Sequence, residues 1–206
     1  MTAQIGNHFK FQGKQYNIVQ MSKELEVNFE QYGITPSPCC TACWNGYWCD
    51  YDIREEGIFL ENLYVHSQDG NYPAIHGVEA YYEADKKKLH RYMGHHLYKG
   101  LHLKCDYTGG IVMGRKFLPE HYVHMGYQRA WAYEEVLELI FMKGTLAKVI
   151  DHSKAVAEMR SKIKVEKDSR DKEFIRIPVF QGVSFEWDHK DLSDLDYYLD
   201  YMLRQS

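Results

Sequence analysis

Glu134-Glu135-Val136-Leu137-Glu138-Leu139-Ile140-Phe141-Met142-Lys143-Gly144-Thr145-Leu146-Ala147-Lys148-Val149-Ile150 is the stretch whose reading decides the fold class. Its first six residues would also start a good helix. Lys143-Gly144, however, lies between two apolar runs, which suits the turn of a hairpin better than the middle of a helix. Val136 to Met142 is therefore expected to be a strand.

Working outward, segments of strand character dominate from the start of the chain to about residue 149. Gln15 to Met21 follows Gly13-Lys14, Trp44 to Ile53 follows a proline-bearing stretch, and Gly57 to His66 follows the charged turn Arg54-Glu55-Glu56. Further strands are expected at Val78 to Glu83, Leu97 to Tyr107, Ile111 to Phe117 and Tyr122 to Tyr127, with a turn at Asp85 to Lys88. Many short strands joined by glycine-bearing turns imply a curved sheet, a half-barrel or a sandwich.

Two helices are expected near the C-terminus. Val156, Met159 and Ile163 share one face from about Asp151 to Lys164, with Asp151 or Ser153 as the cap. Leu192, Leu195, Leu199 and Met202 repeat that spacing behind Ser193. Between them Val165 to Lys172 is charged and expected to be exposed, while Phe174 to Phe180 and Val183 to Trp187 read as a strand pair. The fold class is thus α+β, predominantly antiparallel β, with a β-rich core at 1–150 and a mixed α/β subdomain at 151–206 packed on the same core. Cys49-Asp50-Tyr51 recurs as Cys105-Asp106-Tyr107, and Tyr64-Val65-His66 as Tyr122-Val123-His124. The near-equal offsets suggest an internal β duplication, with chance similarity among aromatic strands as the alternative.

Composition narrows the functional classes. With 45% hydrophobic and 26% charged residues the chain has the makings of a folded core. A formal net charge of −4 supplies no basic excess to neutralise a phosphate backbone, so nucleic acid is not an expected partner, and Lys86-Lys87-Lys88 reads as a solvated loop. No signal peptide and no run of 18 apolar residues is visible, so no membrane span is expected. Five cysteines, an odd number, then read as reduced thiols in a cytoplasm. Tyr (17), Phe (9) and Trp (4) make up 15% of the chain. Strand propensity accounts for these rings, and an aromatic-lined groove is the sharper alternative.

Thr41-Ala42-Cys43-Trp44-Asn45-Gly46-Tyr47, followed by Tyr51-Asp52-Ile53 and the apolar stretch Gly57 to Leu60, resembles a bacterial family whose run reads T-A-x-W-R-G-Y, then W-E-I, then a hydrophobic strand. Tyr122-Val123-His124-Met125-Gly126-Tyr127 matches that family's Y-V-H-M-G-Y motif letter for letter. The resemblance covers residues 35 to 146 and departs at Asn45 and Tyr51. It implies a β-rich fold and carries no activity, cofactor or partner.

Cys39, Cys40, Cys43 and Cys49 form the densest chemical cluster, and Cys40-x-x-Cys43 has the spacing of a zinc knuckle. A second knuckle is missing, so small buried hydrophobes are the expected role and no metal is called for. His90, His95, His96 and His102 crowd one stretch. In an extended chain His95 and His96 point to opposite faces, and all four are expected at the surface. For catalysis His124 is the best candidate, with Tyr122 and Tyr127 beside it and Asp106 or Glu120 to orient it. No P-loop, dinucleotide fingerprint, nucleophile elbow or H-E-x-x-H motif occurs. The leading expectation is a non-catalytic cytoplasmic binding protein presenting Trp44, Tyr47, Tyr122 and Tyr127 to a protein partner. The rival is a small-ligand binder or hydrolase-type enzyme using His124 with Tyr47, Asp106, Tyr107 and Tyr122, and a structural zinc protein is the third. No cofactor is implied, and nothing sets an oligomeric state.

Overall fold

The structure, a computed structural model, describes residues 3–25, 27–82, 95–122, 127–161, 164–167 and 173–176. At its centre β1 (His8–Phe11) and β2 (Lys14–Met21) form a hairpin. Its turn residues Gln12 and Gly13 have φ of 48° and 73°, the left-handed pair that matches the twist of the flanking strands. On one side lies the meander β3 (Tyr47–Arg54), β4 (Gly57–Val65), β5 (His96–Cys105). On the other lies the meander β6 (Gly109–Phe117), β7 (Tyr133–Met142), β8 (Thr145–Asp151). The eight strands make one open sheet in the order β5-β4-β3-β1-β2-β6-β7-β8. Its pairings are antiparallel apart from β1 with β3, which run parallel.

The hairpin read from Lys143-Gly144 is present, with φ of 48° and 74° at the two turn residues. Its tip folds back toward the first meander. The Gly144 N–H donates to Tyr107 O at 2.9 Å, the Lys143 N–H donates to Thr108 Oγ1 at 2.8 Å, and a Cβ on Gly57 would run into the Gly144 carbonyl. The sheet therefore curls without closing.

Alternation sorts each strand into two faces. Phe9 and Phe11, then Cys49, Tyr51 and Ile53, then Ile58, Leu60, Leu63 and Val65, together with Ile111, Met113, Leu139 and Phe141, turn into one core. Fully burying each of these aliphatic or aromatic side chains contributes roughly 1.5–3 kcal/mol, which pins the register of every strand that carries several. The core-facing residues are spaced by two along β3 but by three between Leu60 and Leu63 in β4 and between Tyr98 and Leu101 in β5. Those two gaps are β-bulges, where the register shifts.

Helix α1 (Ser153–Arg160) follows β8, with Asp151 Oδ1 accepting the Ser153 N–H at 2.9 Å as the expected cap. It is the single α-helix among the described residues. The helix expected behind Ser193, the strand expected at Val183 to Trp187, the turn at Asp85 to Lys88, and His90 lie outside them. The chain divides into two compact units, Met1–Val156 and Ala157–Ser206. In the second, β9 (Lys164–Lys167) pairs antiparallel with β10 (Glu173–Arg176). The first three residues of the segment Val165 to Lys172, read only as charged and exposed, thus belong to a strand that pairs with Phe174 and its neighbours. One expected strand is absent, since Val78 to Tyr82 makes only the bridges Ile75–Val78 and Tyr81–Leu97. Of the strand expected at Tyr122 to Tyr127, residues 123–126 lie outside the described residues, and Tyr122 follows a 3-10 turn that starts at Pro119. The two copies of Cys-Asp-Tyr are not structurally equivalent, since Cys49 is mid-β3 whereas Cys105 ends β5.

Candidate functional site

The short strand β1 was not anticipated, yet it builds the most organised polar site among the described residues. Its parallel register sets His8 beside Asp50 on the face of the sheet opposite the core. Asp50 Oδ1 lies 3.1 Å from His8 Nδ1, and Asp50 Oδ2 accepts from Asn62 Nδ2 and Tyr64 OH, each at 2.9 Å. Burial alone would raise the Asp50 pKa, but the hydrogen bonds from His8, Asn62 and Tyr64 together outweigh it and hold the carboxyl below the usual aspartate range. Burial, with the Asp50 charge adding to it, raises the Tyr64 phenol, which stays a donor. Asn62 Oδ1 in turn accepts the N–H of Gly100, so the carboxylate is tied to the bulge of β5.

Around Asp50 opens a basin of about 660 Å³, with Lys10, Gln15, Asp52, Glu61, Lys99 and His102 among its walls. Bulged residues shape its rim, since Glu61 is the extra residue of β4 against β3, and Gly100 and His102 have φ of 74° and 52°. Arg54 donates to Asp52 Oδ2 at 3.1 Å and to Glu61 Oε1 at 2.8 Å, while His102 Nδ1 lies 2.6 Å from Glu61 Oε2. The floor thus offers fixed donors and acceptors of both signs. Among the described residues lining it there is no serine, threonine or cysteine to act as nucleophile. The arrangement can orient and neutralise a polar ligand.

The residues singled out from sequence are dispersed by the fold. Trp44 is 56% exposed, on the loop before β3. Tyr47 is half-buried, edge-on to Phe29 at 4.6 Å, and shares with Asn45 and Tyr127 a cavity of about 170 Å³. Asp106 and Tyr107 line a different cavity of about 420 Å³, whose floor is Leu60, Leu63, Ile75 and Leu101. Tyr107 is buried and acts as a strut: its hydroxyl donates toward Lys23 O and Gly110 O, both at 3.1 Å. Tyr122 is exposed and lies edge-on to Phe117 at 6.5 Å. His124 lies outside the described residues.

Among the cysteines, Cys49 is fully buried in the core, as expected of a small hydrophobe, and Cys40 is half-buried. Cys39 and Cys43 instead converge on His95, whose ring is fully buried against Trp48. This corrects the expectation of a surface histidine. Alternation parts the two neighbours as anticipated, since His96 stacks on Tyr72 at 3.7 Å, but it could not say which one turns inward. Burial pushes the Cys39 thiol up to about 12 and the Cys43 thiol up to about 11.

The polar site was missed because nothing local marks Asp50 in Tyr47–Arg54 as different from Asp52. The one available signal was the pair of three-residue gaps in the apolar pattern of β4 and β5. No helix among the described residues is long and apolar enough to cross a membrane. In comparison with known proteins the chain matches no family model, no curated protein and no solved structure.

Proposed function

We propose that this chain is a non-catalytic binding protein for a small polar solute carrying both hydrogen-bond donors and acceptors, such as a zwitterion or polyol, held in the basin over Asp50. The observation that carries the reading is a largely buried, ionised carboxylate, fixed by three side chains and opening into a cavity whose rim is made by bulges in adjacent strands. Bulges re-aim side chains and concentrate beside functional sites. The 420 Å³ cavity is the poorer choice, because its floor is aliphatic and no comparable set of side chains converges there.

The test is an amide-resolved NMR titration of the full chain with sugars, amino acids and other zwitterions. A ligand should shift the amides of Lys10, Gln15, Asn62 and Lys99 to His102. Lys99→Ala and Gln15→Ala should each weaken it roughly tenfold, about what one lost hydrogen bond produces. Compounds that bind elsewhere, or a basin that none of them perturbs, would refute the assignment.

A protein partner is the second reading, favoured by the exposure of Trp44, at 56%, and of Tyr127, at 43%. Aromatic rings of this kind are enriched among residues that dominate interface energies. In that case Trp44→Ala should abolish co-purification of a partner while leaving the thermal midpoint within about 2 °C, as expected of an exposed side chain.

A further inference from the structure

We infer that Cys39, Cys43 and His95 form a structural site for a zinc-class divalent ion. His95 Nε2 lies 3.6 Å from Cys39 Sγ and 3.5 Å from Cys43 Sγ, and one ligand atom from each of the three residues falls within 4.8 Å of the others. A tetrahedral ion with zinc–sulfur bonds of about 2.3 Å and zinc–nitrogen bonds of about 2.0–2.1 Å places sulfur and nitrogen about 3.6 Å apart along an edge. Both separations have that length, and Cys39 Sγ, which also lies 3.8 Å from His95 Nδ1, turns toward Nε2 when the ion enters.

The three groups come from distant parts of the chain, and the fold prepares their meeting. The Cys39–Cys43 loop is anchored by the Ile5 N–H to Ala42 O at 2.8 Å, by the Ser37 N–H to His66 O at 2.9 Å and by the His66 N–H to Gly46 O at 2.8 Å. Gly46, at φ 75°, passes so close to the Ser37 backbone that a Cβ would collide with it. Within the loop the Cys43 N–H donates to Cys40 O at 3.2 Å, the tight turn expected of a C-x-x-C knuckle. Cys40, half-buried in the same turn, is the candidate for a fourth donor. Trp48 packs edge-on to the His95 ring at 4.4 Å and holds its plane.

Thiolate and imidazole donors select a borderline-soft ion and disfavour magnesium or calcium, which take oxygen ligands. With Cys43 and His95 almost wholly buried, the ion's role is to fasten the loop before β3 to the start of β5. Trp48 also stacks on Tyr64 at 4.9 Å, and Tyr64 donates to Asp50, so the ion braces the far end of the row of side chains that supports the basin. The inference does not depend on what the basin binds.

The full chain, reduced and purified after zinc reconstitution, should carry about one zinc per molecule by elemental analysis. Cobalt substitution should give the strong visible absorption of a tetrahedral centre and a thiolate charge-transfer band in the near ultraviolet. In chelator competition, Cys43→Ser and His95→Ala should lower affinity by on the order of 100-fold or more, and Cys105→Ser should leave it unchanged. His95→Cys should keep one ion and strengthen the charge-transfer band, a result that does not depend on whether the serine variant folds. Reduced protein that takes up no stoichiometric zinc and shows no cobalt spectrum would overturn the inference. So would a Cys43→Ser variant of undiminished affinity.

Discussion

The meanders β3–β4–β5 and β6–β7–β8 share a connectivity and flank the same hairpin, yet they pair differently. Between β6 and β7 the register runs from Gly109–Phe141 to Phe117–Tyr133 without a shift, and β7–β8 carries one shift, between Ile140 and Phe141. In the first meander both pairings break at one level, at Asp50/Tyr51 and at Leu60/Asn62. A bulge leaves backbone groups unpaired and persists only where something else takes them up. Here Asn62 accepts the Gly100 N–H while donating to Asp50. The regular meander is what hydrophobic periodicity produces unaided. The irregular one is held out of register by a polar network, and that network lines the basin.

The sharpest way to break this pairing of unlike halves is at their contact. Gly57→Ala places a methyl group against the Gly144 carbonyl at φ 134°, so it combines strain with a backbone collision that no rotamer relieves. We expect a loss of about 3 kcal/mol or more, on the order of 10 °C in midpoint. Gly13→Ala, at φ 73° in open space, should cost about 1 kcal/mol. Equal losses in a denaturant series would show that the two turns do not meet.

Asp50→Ala comes next. It strands the donors of His8, Asn62 and Tyr64, and should destabilise by about 2 kcal/mol at neutral pH. The Asp50 pKa is depressed in the folded state, so its contribution is present above the ordinary aspartate value of 3.8 and fades as pH falls through the lower folded value. The variant's deficit should therefore shrink in acid. A deficit that stays constant down to pH 2 would mean the network does not depend on the charge.

How far the comparison was visible in the sequence follows from the range of each interaction. Lys143-Gly144 declares a turn by local backbone preference, and the alternation of Cys49, Tyr51 and Ile53 declares a strand. Both are local, and both were legible. β1 was not, because four residues hold too little periodicity and its place beside β3 arises from a crossover rather than a hairpin. Val78 to Tyr82 has strand composition, but its pairing is limited to single bridges, which composition does not foretell. The convergence of Cys39 and Cys43 on His95 needs residues more than 50 positions apart, which spacing within the C-x-x-C pattern does not contain.

Tyr107, in the segment that joins the two meanders, supplies a smaller effect. Tyr107→Phe removes the hydroxyl shared by Lys23 O and Gly110 O and leaves the ring in place, edge-on to Phe141 at 5.9 Å. We expect a loss of about 1 kcal/mol in urea denaturation with an unchanged slope. A neutral result would show that the ring alone does the bracing.

The smallest effect belongs to the regular meander, where Glu135 receives Arg115 at 2.8 and 3.0 Å and Lys116 at 2.7 Å. Hydrogen bonds from Arg115 and Lys116 lower its pKa from 4.5 to about 2. The sign follows directly: the stabilisation is complete above about pH 4.5 and is lost as pH falls toward 2. The side chains are 29% and 26% exposed for Arg115 and Glu135, and 51% for Lys116, so solvent screening limits the total to about 1 kcal/mol or less. Glu135→Gln should thus cost under about 1 kcal/mol at pH 7 and nothing near pH 2, and 1 M salt should narrow the gap at neutral pH. A loss as large as that of Asp50→Ala would erase the contrast, because the ion pairs of the regular half would then bear as much weight as the buried network of the irregular one.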